Sequence, residues 1–327
     1  MLSDMSLGDL SISEISVLEL KLPISLSDLY DPIPYQQLTR DKQARRRVKL
    51  SSRGRLHQAI RERNTFTFRT LLSLGADPEE TNEDGPLLVS AARAQARGAQ
   101  GIVFCRLLLD KGAQVDTRDS SGRTPLSYGA SDEYGNQSIC ELLLNQGAAV
   151  DATDASGRTP LSYGASAKYG NNSICQLLLD RGAAVDTTNA SGRTPLSYGA
   201  SCVYTSHYTC ELLLSRGAAV DATDASGRTP LSYVASASSK YGGHYICELL
   251  LDRGAAVDAT DASGRTALSY GAEHENSPTC ESLLRRNANT HLADAEGHTP
   301  LWYARSCGET SSMYKLFLRP VQARGVV

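Results

Sequence analysis

Six of the eight cysteines, Cys105, Cys140, Cys175, Cys210, Cys247 and Cys280, recur at intervals of 33 to 37 residues. Thiols in such a ladder could bind metal or pair as disulfides. If each sits on its own helix, however, neighbouring helices lie about 10 Å apart, and a disulfide needs Cα atoms within roughly 7 Å. No C-x-x-C and no histidine at zinc-ligand spacing accompanies them. The ladder therefore reads as small apolar core residues. Cys202 and Cys307 fall outside its register and are expected to be the more exposed thiols.

Other residue types recur with the same period. Asp151 and Asp154 precede Ser156-Gly157, with close copies at 221–227 and 258–264. A calcium loop needs oxygens at its positions 1, 3 and 5 and a closing glutamate. Carboxylates at 1 and 4 suit Asx turns instead, in which the side chain accepts from amides two residues on. Arg123, Arg158, Arg193, Arg228 and Arg265 form a second row, expected either to be neutralised by the aspartates or to make a mixed-charge docking edge.

Tyrosines make a third row: Tyr128, Tyr163, Tyr198, Tyr233, Tyr270 and Tyr303. Three and four residues on, the same helical face carries Ser131/Asp132, Ser166/Ala167, Ser201/Cys202 and Glu273/His274. Tyrosine suits a binding surface because it joins a large apolar face to a polar tip; the alternative is that each ring packs on the next repeat. No G-x-S-x-G, Walker loop, H-E-x-x-H or G-x-G-x-x-G is present, and the six histidines read as occupying no shared position. The reading is a protein that is not an enzyme and needs no cofactor.

The elements that must position these rows are repeats. SGRTPLSYGA occurs at 121–130, 156–165 and 191–200, ASGRTPLSY three times, and degraded forms at 263–270 and 296–304. The leucine of TPL marks eight copies: Leu56, Val89, Leu126, Leu161, Leu196, Leu231, Leu268 and Leu301, at intervals of 33, 37, 35, 35, 35, 37 and 33. In Thr159-Pro160-Leu161, Thr is a favoured N-cap and Pro suits the first helical turn. Gly164 and Ala165 keep that helix thin. A second helix at Ile174–Leu179 ends on Arg181-Gly182, a basic last turn and a C-cap glycine.

This pattern resembles the ankyrin repeat, whose unit of about 33 residues carries T-P-L-H-x-A, two helices and a hairpin-like turn. The resemblance covers 51–327 and implies an all-α solenoid of about eight stacked helix pairs with protruding turns. In that family the first-helix face lines a concave groove that holds a partner protein. Five copies have Ser127, Ser162, Ser197, Ser232 and Ser269 where the family has His; His57 keeps it, so the bond from turn to helix is expected to be weaker elsewhere. The longer intervals place extra residues between paired helices, in DEYGNQ, AKYGNN, CVYTSHY, ASSKYGGHY and EHENSP. The central copies differ most there, so specificity is expected there.

The expected partner-binding residues are Tyr128, Tyr163, Tyr198, Tyr233 and Tyr270, with Asp132, Lys168, His207 and His274 from the variable stretches and Arg158, Arg193 and Arg228 from the turns. The partner is expected to be a protein; no small-molecule substrate, membrane or nucleic acid is called for. Of the 327 residues, 41% are hydrophobic and the net charge is only −3. Residues 40–63 hold ten Lys/Arg against Asp41 and Glu62, +8, which leaves −11 elsewhere.

Residues 1–50, basic at 40–50, are expected to be partly disordered, because Pro23, Pro32 and Pro34 prevent a long element. Asp4 and Asp9 stand where a signal peptide would be basic. The expected location is thus cytoplasmic or nuclear, with reduced cysteines. Arg45-Arg46-Arg47 also allows a nuclear regulator imported through that segment, and a substrate-recruiting array of a larger enzyme is a further alternative.

Overall fold

Thr159 shows why the first helix of a repeat begins where it does. Its backbone is extended (φ −88°, ψ 163°), and its Oγ1 accepts the Ser162 amide at 3.3 Å. Pro160 follows with no N–H to leave unsatisfied. Thr194, Thr229, Thr266 and Thr299 cap their helices in the same way.

The structure is a computed structural model and describes residues 54–94, 100–131, 136–167, 171–202, 207–237 and 243–318. Among them are sixteen α-helices, and none is long and apolar enough to cross a membrane. The segment 1–50 lies outside the described residues, as do most of the expected specificity stretches; EHENSP is described in full. The described residues fall into two compact units that divide between Ser120 and Ser121.

In the first unit, α1 (Arg55–Arg61) packs on α2 (Thr65–Ser73) and α3 (Leu87–Arg93), and α2 and α3 pack on α4 (Gln100–Asp110). Two short strands, β1 (Thr81–Asn82) and β2 (Gly85–Pro86), pair antiparallel as the intervening hairpin. His57 Nε2 lies 3.0 Å from the Gly85 carbonyl, the turn-to-helix bond expected of that histidine.

The second unit holds six helix pairs: α5 (Pro125–Ser131) with α6 (Gln137–Asn145), α7 (Pro160–Ala165) with α8 (Asn172–Asp180), and α9 (Pro195–Ala200) with α10 (His207–Ser215). Then come α11 (Pro230–Ser236) with α12 (Gly243–Asp252), α13 (Ala267–Glu273) with α14 (Ser277–Arg285), and α15 (Pro300–Ser306) with α16 (Ser312–Leu318). First helices stack on first helices and second on second along the series. Six residues separate α7 from α8 but only three separate α13 from α14, and the repeat that holds α13 and α14 has a period of 33 where that of α7 and α8 has 35.

The core runs between the two helix rows. Leu126, Leu161, Leu196 and Leu268 are fully buried, as are all six ladder cysteines. The second helices from α2 to α12 close on a glycine at positive φ, such as Gly182 (φ 89°), with Ala183 donating back to the Leu178 carbonyl at 3.0 Å, and α14 closes on Asn287 (φ 63°) instead.

Successive turns are joined through the backbone. The Ala190 amide donates to the Ser156 carbonyl at 2.8 Å, and the same bond recurs at Ala155–Ser121, Ala225–Ser191, Ala262–Ser226 and Ala295–Ser263. Gly157 (φ 79°) is required by that approach: a Cβ there would sit 2.9 Å from the Ala190 nitrogen. The serines that replace the family histidine bond locally instead. Ser162 Oγ lies 3.2 Å from Thr159 Oγ1, within its own helix cap. Cohesion between turns therefore rests on amides and aspartates.

Candidate interaction surface

Each aspartate of a turn has a distinct task. Asp151 accepts the Ala184 amide of the next repeat at 3.1 Å, as Asp186 does from Ala219 and Asp221 from Ala256. Asp154 serves its own turn: Oδ1 accepts the Ser156 and Arg158 amides at 2.8 and 3.0 Å, and Oδ2 accepts the Tyr163 hydroxyl at 2.5 Å. These are the Asx turns expected from the sequence. Burial raises the Asp154 carboxyl, but the bonds from Tyr163, Ser156 and Arg158 outweigh it and hold it below the ordinary value.

With its carboxylates so engaged, Asp154 does not neutralise the arginine row. The arginines lie between the tyrosine rings. Arg158 Cζ is 4.0 Å from the centroid of Tyr163 and 4.2 Å from that of Tyr198, one repeat on. Arg193 stands likewise between Tyr198 and Tyr233 (4.2 and 4.0 Å), and Arg228 between Tyr233 and Tyr270 (4.3 Å to each). Arg123 and Arg265 complete an alternating stack that runs from Tyr128 to Tyr303. Such contacts contribute about 0.5–2 kcal/mol each, more as they are desolvated.

Helix geometry places the stack. Tyr163 lies about 100° of turn per residue away from Leu161 and Gly164, so it faces opposite the side that meets the second helix. Arg158 runs along that outer side and donates from Nη2 to the Ser162 carbonyl (3.3 Å) and to Ser166 Oγ (2.7 Å) at the helix end. Arg193 with Ser197 and Ser201, and Arg228 with Ser232 and Ser236, repeat the arrangement. The rings from Tyr128 to Tyr270 are half-buried, and that of Tyr303 is buried. Burial, reinforced by the bonded aspartate, pushes the hydroxyls of Tyr163, Tyr233, Tyr270 and Tyr303 up to about 12.

Eight of the twelve expected residues thus converge on one track: Tyr128, Tyr163, Tyr198, Tyr233, Tyr270, Arg158, Arg193 and Arg228. His274 borders it, its Nδ1 3.1 Å from the Tyr270 carbonyl, next to Glu273, which accepts from Arg265 at 2.6 Å. Asp132 and Lys168 lie outside the described residues. His207 is elsewhere, on the second helix α10, with its ring 3.7 Å from that of Tyr208 and 6.2 Å from that of Tyr245.

That placement corrects the expectation that no histidines share a repeat position. His207 and His244 each stand three residues before a ladder cysteine. Their neighbours Tyr208 and Tyr245 are 61% and 62% exposed, an aromatic patch the sequence analysis missed although the His-Tyr doublet recurs 37 residues apart. At the last repeat His298 replaces the turn arginine and stacks on the exposed Trp302 at 3.6 Å.

The cysteine ladder is sealed in the core, and burial raises the thiols of Cys105, Cys175 and Cys247 to about 12. Cys202 and Cys307 are the more exposed thiols, as expected, yet each is half-buried. Their S–H groups donate to the Ala167 and Ala272 carbonyls at 3.4 and 3.5 Å, in each case the preceding repeat.

The family model for ankyrin repeats (3 copies) matches residues 56–154, 130–224, 165–261, 199–294 and 234–323. The chain belongs to the ankyrin repeat family. No curated protein matches it. Ankyrin repeats are generally protein–protein interaction modules, typically without enzymatic activity, which directs attention to surfaces rather than to a reaction centre.

Proposed function

We propose that the chain is a scaffold or adaptor that holds a partner protein along the tyrosine–arginine track and the adjoining turns. The observation that carries this reading is the track itself. It presents five half-buried tyrosines, the buried Tyr303 and five arginines on the side of the first helices away from the core. A non-obligate interface is built from such residues, since Tyr and Arg dominate binding energy where they can be fully desolvated. The residues that follow the first helices in sequence, where the central copies differ most, supply selectivity.

Affinity capture with the full chain, followed by titration of the captured protein, tests the reading. Tyr198→Ala should weaken binding by about 2 kcal/mol while circular dichroism retains the helical signal. Unchanged affinity would move the interface elsewhere. The exposed patch of Tyr208 and Tyr245 is the second reading, and Tyr208→Ala/Tyr245→Ala is its matching test.

A further inference from the structure

Three central arginines of the track make no ion pair among the described residues. No carboxylate of the described residues lies within ion-pair distance of Arg158, Arg193 or Arg228, whereas Arg265 has Glu273. Their Nη2 groups are occupied by serine oxygens, and their Nε atoms are buried without a hydrogen-bond partner. The Nη1 groups make no hydrogen bond and are not among the buried atoms. Desolvation lowers the Arg193 guanidinium, and its neighbours Arg158 and Arg228 lower it further, so the row strains against its own charge.

We infer that Arg158, Arg193 and Arg228 seat the carboxylates of an extended acidic segment of the partner. This rests on the reading of the track as the interaction surface. Two steps of 4.2 Å through the Tyr198 ring put the Arg158 and Arg193 guanidinium carbons within 8.4 Å of each other. An extended chain repeats its same-side residues about every 7 Å, and the flexible glutamate side chain covers the difference. A guanidinium held between two rings is already ordered, so little side-chain freedom is lost on binding.

Spacing also favours a peptide over a nucleic acid. Phosphates come as densely as one per ~1.7 Å of duplex, and would run past the Asp154 and Asp224 carboxylates that bond the ends of the same tyrosines. Carboxylates spaced by a repeat meet the guanidinium groups alone.

The test uses the full chain and fluorescein-labelled peptides of alternating glutamate and glycine, with a glutamine–glycine peptide and an oligothymidylate as controls, read by fluorescence anisotropy. The glutamate peptide should bind at least about tenfold more tightly than either control, with affinity falling as salt rises. Arg158→Gln/Arg193→Gln/Arg228→Gln should remove that preference. If circular dichroism shows that this variant has lost helix, Arg193→Gln alone should weaken glutamate binding at least about threefold, and no change overturns the inference. Equal or tighter binding of oligothymidylate overturns it in favour of a general polyanion track. Failure of the glutamate peptide to bind also overturns it, while the scaffold reading stands or falls separately on capture and on Tyr198→Ala.

Discussion

A Cβ built on Gly164 would lie 2.9 Å from the Sγ of Cys175. The same meeting of first and second helix recurs at Gly129–Cys140 (3.0 Å), Gly199–Cys210 (3.0 Å) and Gly271–Cys280 (2.7 Å). Glycine in a helix is costly, and here it is retained because the sulfur occupies the space. Gly199→Ala should therefore destabilise the protein. Overpacking costs of about 1–3 kcal/mol oppose a helix-propensity gain of roughly 1 kcal/mol. Adding Cys210→Ala should recover part of the loss, so a double-mutant cycle in urea should show coupling; strict additivity would disprove the contact.

The thiols should separate into two classes. Alkylation of the native protein near neutral pH should reach Cys202 and Cys307 first, more slowly than a free thiol, because each is half-buried over a carbonyl. Cys105, Cys175 and Cys247 hold their protons up to about 12 and should react only on unfolding. Mass spectrometry of time points would expose an error if Cys175 were modified at the rate of Cys202.

Tyr198 separates stacking from hydrogen bonding. Its hydroxyl accepts from Asn189 Nδ2 at 2.8 Å, and its ring lies between Arg158 and Arg193. Tyr198→Phe should cost about 0.5–1.5 kcal/mol for the lost bond. Tyr198→Ala removes both guanidinium contacts as well and should cost at least about 2 kcal/mol in all. Arg193→Lys should resemble the alanine change more than the phenylalanine one, since a lysine cannot fill the slot between two rings. Thermal melts that rank the three otherwise would refute the stack as a stabilising element.

Alkali should weaken the fold before it acts on the arginines. The hydroxyls of Tyr163, Tyr233, Tyr270 and Tyr303 are raised from 10.0 to about 12. A folded value above the unfolded one gives stability that is complete below about 10 and is lost as pH climbs to about 12. Urea midpoints should fall across that window, in step with delayed tyrosinate absorbance. At the acid end Asp154 works in reverse: its folded value is depressed, so its contribution is present above the ordinary carboxylate value and fades as pH drops through the folded one.

Deletion of 156–190 removes one 35-residue period and joins Ala155 to Ser191, which restores the frame. The shortened chain should remain helical by circular dichroism, with lower stability, because each repeat depends on its neighbours. Collapse of all helix would contradict nearest-neighbour packing.

The sequence conveyed what is local. Thr159-Pro160 as a helix start, Gly182 as a helix end and the Asx role of Asp154 depend on residues within a few positions, and all three are found where expected. The tyrosine row was also legible, as was its common face. The position of the arginines was not. Arg158 and Tyr198 are forty residues apart in sequence and meet only because repeats stack, so the adjacent aspartates drew the expectation instead. The contact that half-buries Cys202 was hidden for the same reason: its partner is a carbonyl of the preceding copy. His207 and His244 escaped notice because just two copies carry the doublet.

The backbone bond from Ala190 to Ser156 has a consequence for how such a gene changes. It uses only main-chain atoms and a glycine, and the same bond joins every adjacent pair of turns in the second unit. A junction created by unequal recombination between two copies is therefore chemically the same as the one it replaces. A copy gained or lost in this way needs no compensating change at the turn-to-turn bond, and it adds or removes one arginine of the stack.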